Sequence, residues 1–338
     1  MEKQTSKIMI FFDQIKKSGL KFIFWEFYWL FKFLTLKKLA NLLKILIQDK
    51  FIEPAKVNGF PTKLTVDPST NCILHCPLCP TGQNNKGRSR GEMKFFNFKK
   101  LIDEVGGYLL EIDLFNWGEP FLNQDIFKMI SLCHERRIIS RLSSNLNYFP
   151  DGYEKKLMES KLNHLVVSLD GITKETYGVY RVGGSIEKVL RTVKKIKKEK
   201  EKQNSKFPFI TWQFIVFDHN KHEIPQAKKL VKKWGFGRIV FIENRGDMGE
   251  ELFTNKNAKK KFNCNFLWSQ SVVNWDGSVS PCCLYYDQKY DFGNAFKEGF
   301  GNVWNNEKYQ LARKLMSKGK PIDKGIICWN CIKNNFTD

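Results

Sequence analysis

Six short β-rich runs lie between Leu64 and Glu243: Leu64–Asp67, Glu111–Trp117, Ile138–Ser144, His164–Asp170, Phe209–Phe217 and Arg238–Glu243. Helix-periodic stretches separate them, at Asn97–Val105, Ile126–Arg137, Gly152–Ser160, Ser185–Lys202 and His222–Trp234. Strands that alternate with helices pair in parallel, because each helix carries the chain back to the edge where the sheet began. The alternation restricts this region to an α/β fold, either an open doubly wound sheet or a partial (β/α)6 TIM-like barrel. In both, the chemistry gathers at the C-terminal ends of the strands. Cys72, Glu119, Asn145 and Asp170 all fall at or just past such an end.

The chain has 338 residues, 42% of them hydrophobic, enough for one large core and a smaller appendage. Its formal charge of +21 predicts anionic partners: phosphates, nucleic acid or an anionic membrane face. The lysines are spread over helix faces without an RNA-binding module, so nucleic acid ranks below the other two. The composition divides the chain into a basic amphipathic helical extension over 1–58, a core barrel over 59–245 and a Cys-rich small domain over 246–338.

In the extension, Phe22 to Phe31 is the most apolar piece, but Glu26 interrupts it and Lys32 follows, so a membrane-spanning helix is not expected. Two readings stay open. The helix lies in a membrane interface with Trp25, Tyr28, Trp29 and Phe31 inserted, or it packs on the chain's own barrel.

Nine cysteines are present, and the N-terminus lacks an apolar run followed by a small-residue cleavage site. A cytoplasmic location is expected, at most peripheral at the inner face of the membrane. In a reducing compartment, close-spaced cysteines are metal ligands more often than disulfides. The first strand runs into Pro68-Ser69-Thr70-Asn71-Cys72-Ile73-Leu74-His75-Cys76-Pro77-Leu78-Cys79, a CxxxCxxC loop. Three thiolates from one short loop wrap a cubane cluster and leave one iron open for chemistry. A structural zinc would need a fourth ligand, His75 or a distant residue.

The strand, this loop and the following βα units resemble the radical S-adenosylmethionine (radical SAM) superfamily over about residues 62 to 245. Leu78 departs from the pattern, since an aromatic residue often precedes the third cysteine. The resemblance implies a catalytic [4Fe-4S] cluster on Cys72, Cys76 and Cys79, with S-adenosyl-L-methionine bound at the open iron. Asn116-Trp117-Gly118-Glu119-Pro120 is similar to the family's GGE motif, with Trp117 in place of the first glycine. It implies that Gly118, Glu119 and Pro120 serve the methionine amino group. Ser144 and Asn145 match the segment that contacts the methionine carboxylate or ribose, and Ser168 and Asp170 again fall at the cofactor face. On the residues alone, Ser144 and Ser168 also read as strand-end caps.

The tail holds Cys264, Cys282, Cys283, Cys328 and Cys331. Asp276-Gly277 reads as a hairpin turn that returns Cys282 toward Cys264. Four thiolates from three segments make a closed site, for an iron-sulfur cluster or for zinc. The order of the DGxVxPCC, GN and VWN segments is similar to the SPASM or twitch extension, which implies one auxiliary [4Fe-4S] cluster. Cys264, Cys282, Cys328 and Cys331 are the assigned ligands; Cys283 is set aside because adjacent side chains point in different directions. Cys133, inside a helix pattern, reads as a buried thiol.

The implied reaction is reductive cleavage of S-adenosylmethionine to a 5′-deoxyadenosyl radical, which takes hydrogen from a substrate C–H bond. It needs a reductant such as flavodoxin or ferredoxin. Asp170, Arg181, Glu243 and Arg245 are candidate substrate groups at the barrel mouth. The N-terminal helix points to a small-molecule or lipid-linked substrate, sugar-linked molecules included, on an anionic membrane surface. A peptide-modifying maturase is the alternative. A non-catalytic iron-sulfur electron carrier is a third reading, against which the Gly118-Glu119-Pro120 segment stands, since a carrier has no need to bind methionine.

Overall fold

A computed structural model describes residues 20–48, 52–244, 264, 266–318 and 325–333. Two helices, α1 (Leu20–Phe33) and α2 (Leu36–Ile47), precede the sheet. There follow β1 (Lys63–Val66), α3 (Phe95–Val105), β2 (Glu111–Asp113), α4 (Ile126–Glu135), β3 (Ile139–Ser144), α5 (Tyr153–Glu159) and β4 (His164–Ser168). After them come α6 (Lys174–Tyr180), α7 (Ile186–Lys202), β5 (Phe209–Val216), α8 (Ile224–Leu230) and β6 (Arg238–Glu243). The tail contributes β7 (Gln270–Val273), β8 (Ser278–Ser280), β9 (Gly293–Asn294), α9 (Glu307–Lys318) and α10 (Cys328–Lys333).

The sheet runs β6-β5-β4-β3-β2-β1-β7-β8-β9. Pairs from β1 through β6 are parallel, as the alternation predicts, giving the partial barrel. Parallel strands are covered on both faces, so they read as continuous apolar runs. All five residues of β4, His164–Ser168, are buried accordingly. Two features depart from the sequence expectation. β2 ends at Asp113 because residues 114–119 leave the sheet to meet the cysteine loop, with Glu119 N–H donating to the Asn71 carbonyl at 2.8 Å. The tail also returns to the sheet: β7 pairs in parallel with β1, and β8 and β9 extend it as an antiparallel meander. The Asp276-Gly277 turn forms as expected, with Gly277 at φ +85°, where its missing side chain lets the Phe296 ring approach.

The N-terminal end of the barrel is closed by charge and by α1. Lys63 Nζ lies 2.7 Å from Glu111 and 2.8 Å from Asp113, and Arg141 bridges to both acids. Over this layer, Phe22 packs on His164 and Phe209 and lies 3.3 Å beneath the Arg238 guanidinium. Trp29 and Phe33 are buried against Ile139 and Phe207. Lys38 of α2 is buried and donates to the carbonyls of Arg136 and Arg137, which latches α2 to the end of α4. Burial lowers its ammonium to about 8. Trp25 and Trp29 therefore pack inward, whereas Tyr28 and Phe31 face out.

Candidate active site

The cysteine loop leaves β1 at Asp67 and closes on itself through a Ser69–Glu92 bridge, with Met93 N–H donating to the Pro68 carbonyl. Within it, Cys79 N–H donates to the Cys76 carbonyl at 3.1 Å, and Gln83 Nε2 donates to the same oxygen at 3.2 Å. Gly82 permits this tight winding: a Cβ there would lie 2.6 Å from the Cys76 amide nitrogen. Cys76 is buried, Cys72 and Cys79 half-buried. Burial pushes the Cys72 thiol up to about 12. A cation has to offset that cost before the ligand thiolate forms.

The turn after β2 rests directly on this loop. A Cβ on Gly118 would sit 1.8 Å from the Ser69 carbonyl oxygen, so only glycine fits the contact. Trp117 N–H donates to Asp67 Oδ1 at 3.4 Å, and Asp67 is fully buried at the end of β1. Pro120 opens a 3-10 turn for which Glu119 is the N-cap. The Glu119 carboxylate is itself buried. Its Oε1 accepts from Ser144 Oγ at 2.7 Å, and its Oε2 from the Asn145 N–H at 2.9 Å. Asn145 Nδ2 reaches toward Cys72 Sγ at 3.8 Å. Glu119 thus joins the ends of β2 and β3 beside the first cysteine, and burial pushes its carboxyl up to about 7.

On the neighbouring strand, Ser168 Oγ of β4 lies 3.5 Å from Ser143 Oγ of β3. Asp170 is buried, accepts from Ile215 N–H at 2.6 Å, and pairs with Arg181 Nε at 2.6 Å. Arg181 Nη1 lies 3.9 Å from Cys76 Sγ. The sequence offered Asp170 and Arg181 as substrate groups, and the fold pairs them with each other against the cysteine loop. Glu243 ends β6 exposed, and Arg245 lies outside the described residues. Residues that the sequence reading passed over include Asp67, and also Asn147 and Tyr177, joined at 2.8 Å next to the Arg181 turn. Asp67 carried one signal, a carboxylate ending an apolar strand.

The tail cysteines gather. Burial raises the Cys282 thiol well above its ordinary value, and Cys283, Cys331 and Cys264 raise it further. Cys328 is raised by burial and then by Cys264 and Cys331. Cys282 thus lies in the field of Cys283, Cys331 and Cys264, and Cys328 in that of Cys264 and Cys331. The region is tied to the barrel by Arg88, which is buried and donates to Asp291, Ser278, Ser280 and the Tyr286 carbonyl. Tyr285 Oη lies 3.7 Å from Cys331 Sγ, and the Tyr286 ring meets Trp117 edge-on at 5.2 Å. Adjacent tyrosines thus reach Cys331 of the tail and Trp117 of the turn that rests on the cysteine loop. Cys133 is a buried thiol, as expected.

The donor sets fit iron-sulfur clusters by chemistry: three thiols on one loop with polar strand ends opposite, and a second group of thiols from three segments. Among the described residues no group of three or more His, Cys, Asp and Glu closes around a point as a single ion requires.

An α/β partial barrel with a three-cysteine loop at its strand ends is the framework of a radical enzyme. Residues 66–231 match the Radical SAM superfamily and residues 264–332 match SPASM, an iron-sulfur cluster-binding domain. The chain belongs to the radical SAM superfamily and carries a SPASM domain. It is an enzyme of the class that uses S-adenosylmethionine and iron-sulfur chemistry. It is similar to the Fe-coproporphyrin III synthase of Methanosarcina barkeri, 24% identical over 75% of each chain. It is also similar to the S-adenosyl-L-methionine-dependent 2-deoxy-scyllo-inosamine dehydrogenase of Niallia circulans, 22% identical over 79% of this chain and 91% of that one. Streptococcus suis SuiB bound to its precursor peptide SuiA shares the fold, with a TM-score of 0.59 and 16% identity over 81% of this chain and 69% of that one.

Proposed function

We propose that the chain cleaves S-adenosylmethionine reductively at a [4Fe-4S] cluster held by Cys72, Cys76 and Cys79, and takes hydrogen from a peptide that approaches from solution. The observation that carries the substrate reading is the position of α1. It caps the N-terminal ends of β3, β4 and β5, through Ile139, His164 and Phe209. The cysteine loop and Glu119 stand at the opposite ends of the strands. A lipid-linked substrate held beneath α1 would have to cross the depth of the barrel, about 17–20 Å for strands of five or six residues. That geometry weighs against the lipid- or sugar-linked reading and for its alternative, the peptide maturase, as does the fold shared with peptide-bound SuiB.

When bound, the cluster and S-adenosylmethionine supply the 5′-deoxyadenosyl radical. The chain's own residues organise the place where it forms. Glu119 locks Ser144 and the Asn145 amide at the strand ends. Arg181, aligned by Asp170, puts a fixed positive charge beside Cys76, which favours the ligand thiolate. Gly118, Pro120 and Ser168 shape the same face. Cys264, Cys282, Cys328 and Cys331 would hold one auxiliary [4Fe-4S] cluster. A small electron carrier such as flavodoxin or ferredoxin would supply the reducing electron.

The test uses anaerobically reconstituted enzyme with dithionite and S-adenosylmethionine. Deuterated candidate peptides encoded beside this chain are added in one series and a deuterated membrane-lipid extract in another. Deuterium entering 5′-deoxyadenosine from a peptide is the expected result. Transfer from the lipid extract alone would restore the lipid-linked substrate.

A further inference from the structure

Ten of the fifteen exposed large apolar side chains among the described residues fall between Phe24 and Ile52. On α1, Phe24, Phe27 and Phe31 recur at i, i+3 and i+7, with Phe31 74% exposed. On α2, Leu36, Leu39 and Leu43 repeat the spacing, with Leu36 87% exposed. Each stripe is opposed by a buried one: Trp29 and Phe33 on α1, Lys38, Asn41 and Ile45 on α2. α1 is thus apolar on the face away from the protein as well as on the face against it, and α2 turns a leucine stripe outward while Lys38, Asn41 and Ile45 face the protein. A helix packed only for its own stability needs one such face.

The charge around the outer face identifies its occupant. Between residues 20 and 48 the single acid is Glu26, whose carboxyl is raised by burial beside Glu111 at the base of the barrel. Lys32, Lys37 and Lys44 are exposed at the border of the stripes. Beside α1 opens a cavity of about 530 Å³, lined by Trp25 with Lys197, Lys200 and Lys206 against the lone Glu201. Lys200 is partly committed, donating to the carbonyls of Lys206 and Pro208, and Lys206 lies 5.5 Å from the Trp25 ring. A second copy is a poor occupant: self-association places the same patch against itself and would set lysine against lysine. An apolar centre bordered by cations suits the boundary of acyl chains and anionic headgroups.

We propose that the outer faces of α1 and α2 dock the enzyme on an anionic lipid bilayer. Phe24, Phe27, Phe31, Leu36, Leu39 and Leu43 enter the acyl boundary. Lys32, Lys37, Lys44 and the basic cavity beside Trp25 take the headgroup phosphates. The C-terminal ends of the strands then point into the aqueous phase. The proposal does not depend on the identity of the substrate.

Vesicle flotation of the full-length holoenzyme tests it. Neutral phosphatidylcholine vesicles are compared with vesicles carrying about 30 mol % phosphatidylglycerol. The protein should float with the anionic vesicles, and binding should fall roughly tenfold on neutral ones or at about 0.5 M salt. The triple variant Phe27→Ser, Phe31→Ser, Leu43→Ser should lose binding by a similar factor while keeping the wild-type melting temperature, since all three side chains are exposed. Lys32→Glu with Lys44→Glu should erase the preference for anionic lipid. Failure of the wild type to float with anionic vesicles would overturn the proposal. So would a wild-type dimer in size-exclusion chromatography that the triple variant converts to monomer, because the face would then belong to a second copy.

Discussion

Gly118 rests directly on the backbone of the cysteine loop, with two buried carboxylates beside it. Adding a methyl at Gly118 drives a Cβ into the Ser69 carbonyl, a backbone group that cannot rotate away. Gly118→Ala should therefore displace the turn from the cysteine loop, costing about 1–3 kcal/mol of stability. It should also cut 5′-deoxyadenosine formation by at least about tenfold. A thermal melt and a single-turnover assay read the two effects separately. Asp67 and Glu119 are fully buried, and burial pushes both carboxyls up to about 7, from ordinary values of 3.8 and 4.5. Between those ordinary values and about 7, the folded chain keeps protons that the unfolded chain has released. Stability of the cofactor-free protein should then fall as pH rises through that window, by at most about 3 to 4 kcal/mol per group. Urea denaturation at pH 5 and pH 8 measures it, and Asp67→Asn or Glu119→Gln should each flatten the slope. Stability that rose with pH would mean these carboxyls are ionised and paired in the fold. Glu119 was legible from its Gly-Glu-Pro setting. The role of Arg181 was not, because its meeting with Cys76 joins residues 105 positions apart.

The elements follow physical rules that the sequence expresses unevenly. β4 and β5 are apolar runs, as strands covered on both faces are, and β3 through β6 were visible within a residue or two of their ends. α6, seven residues with one buried side chain, carries too little periodicity to be seen. β2 looked longer than it is, because Phe115 and Trp117 continue its pattern after the chain has turned toward the cysteine loop, where the Trp117 ring meets Tyr286 of the tail. β7 escaped notice because its partner β1 lies some 200 residues away, and no local signal records such a pairing. The tail joins the barrel through the β1–β7 pairing, and Arg88 adds a side-chain tie, its guanidinium buried with Asp291 and two serine hydroxyls. Removing one member of a buried pair leaves the other uncompensated, so Arg88→Ala should cost about 3–5 kcal/mol. Limited proteolysis should then cut the variant near the tail well before the wild type. Trp29→Ala should cost about 3 kcal/mol by emptying the seat of α1 on Ile139 and Phe207. Its equilibrium unfolding in urea checks the value.

As a whole, the molecule places two different sets of side chains at the two ends of the barrel axis. The C-terminal ends of the strands carry the cysteine loop, the Glu119 junction and the Asp170–Arg181 pair, while the N-terminal ends carry a charged plug covered by α1. No helix among the described residues is long and apolar enough to cross a membrane. On the proposal that α1 and α2 dock on a bilayer, attachment at one end leaves the strand ends at the other open to the aqueous phase. Tyr285 and Tyr286 run from Cys331 of the tail to Trp117 beside the cysteine loop. The proposed function rests on the three-cysteine loop being the place where S-adenosylmethionine is cleaved. The most direct measurement is anaerobic reconstitution of wild type and Cys76→Ala, with iron counted and 5′-deoxyadenosine quantified after dithionite and S-adenosylmethionine are added. The account predicts about eight irons and product for the wild type, against about four irons and no product for the variant. Product from the variant at the wild-type rate would contradict it.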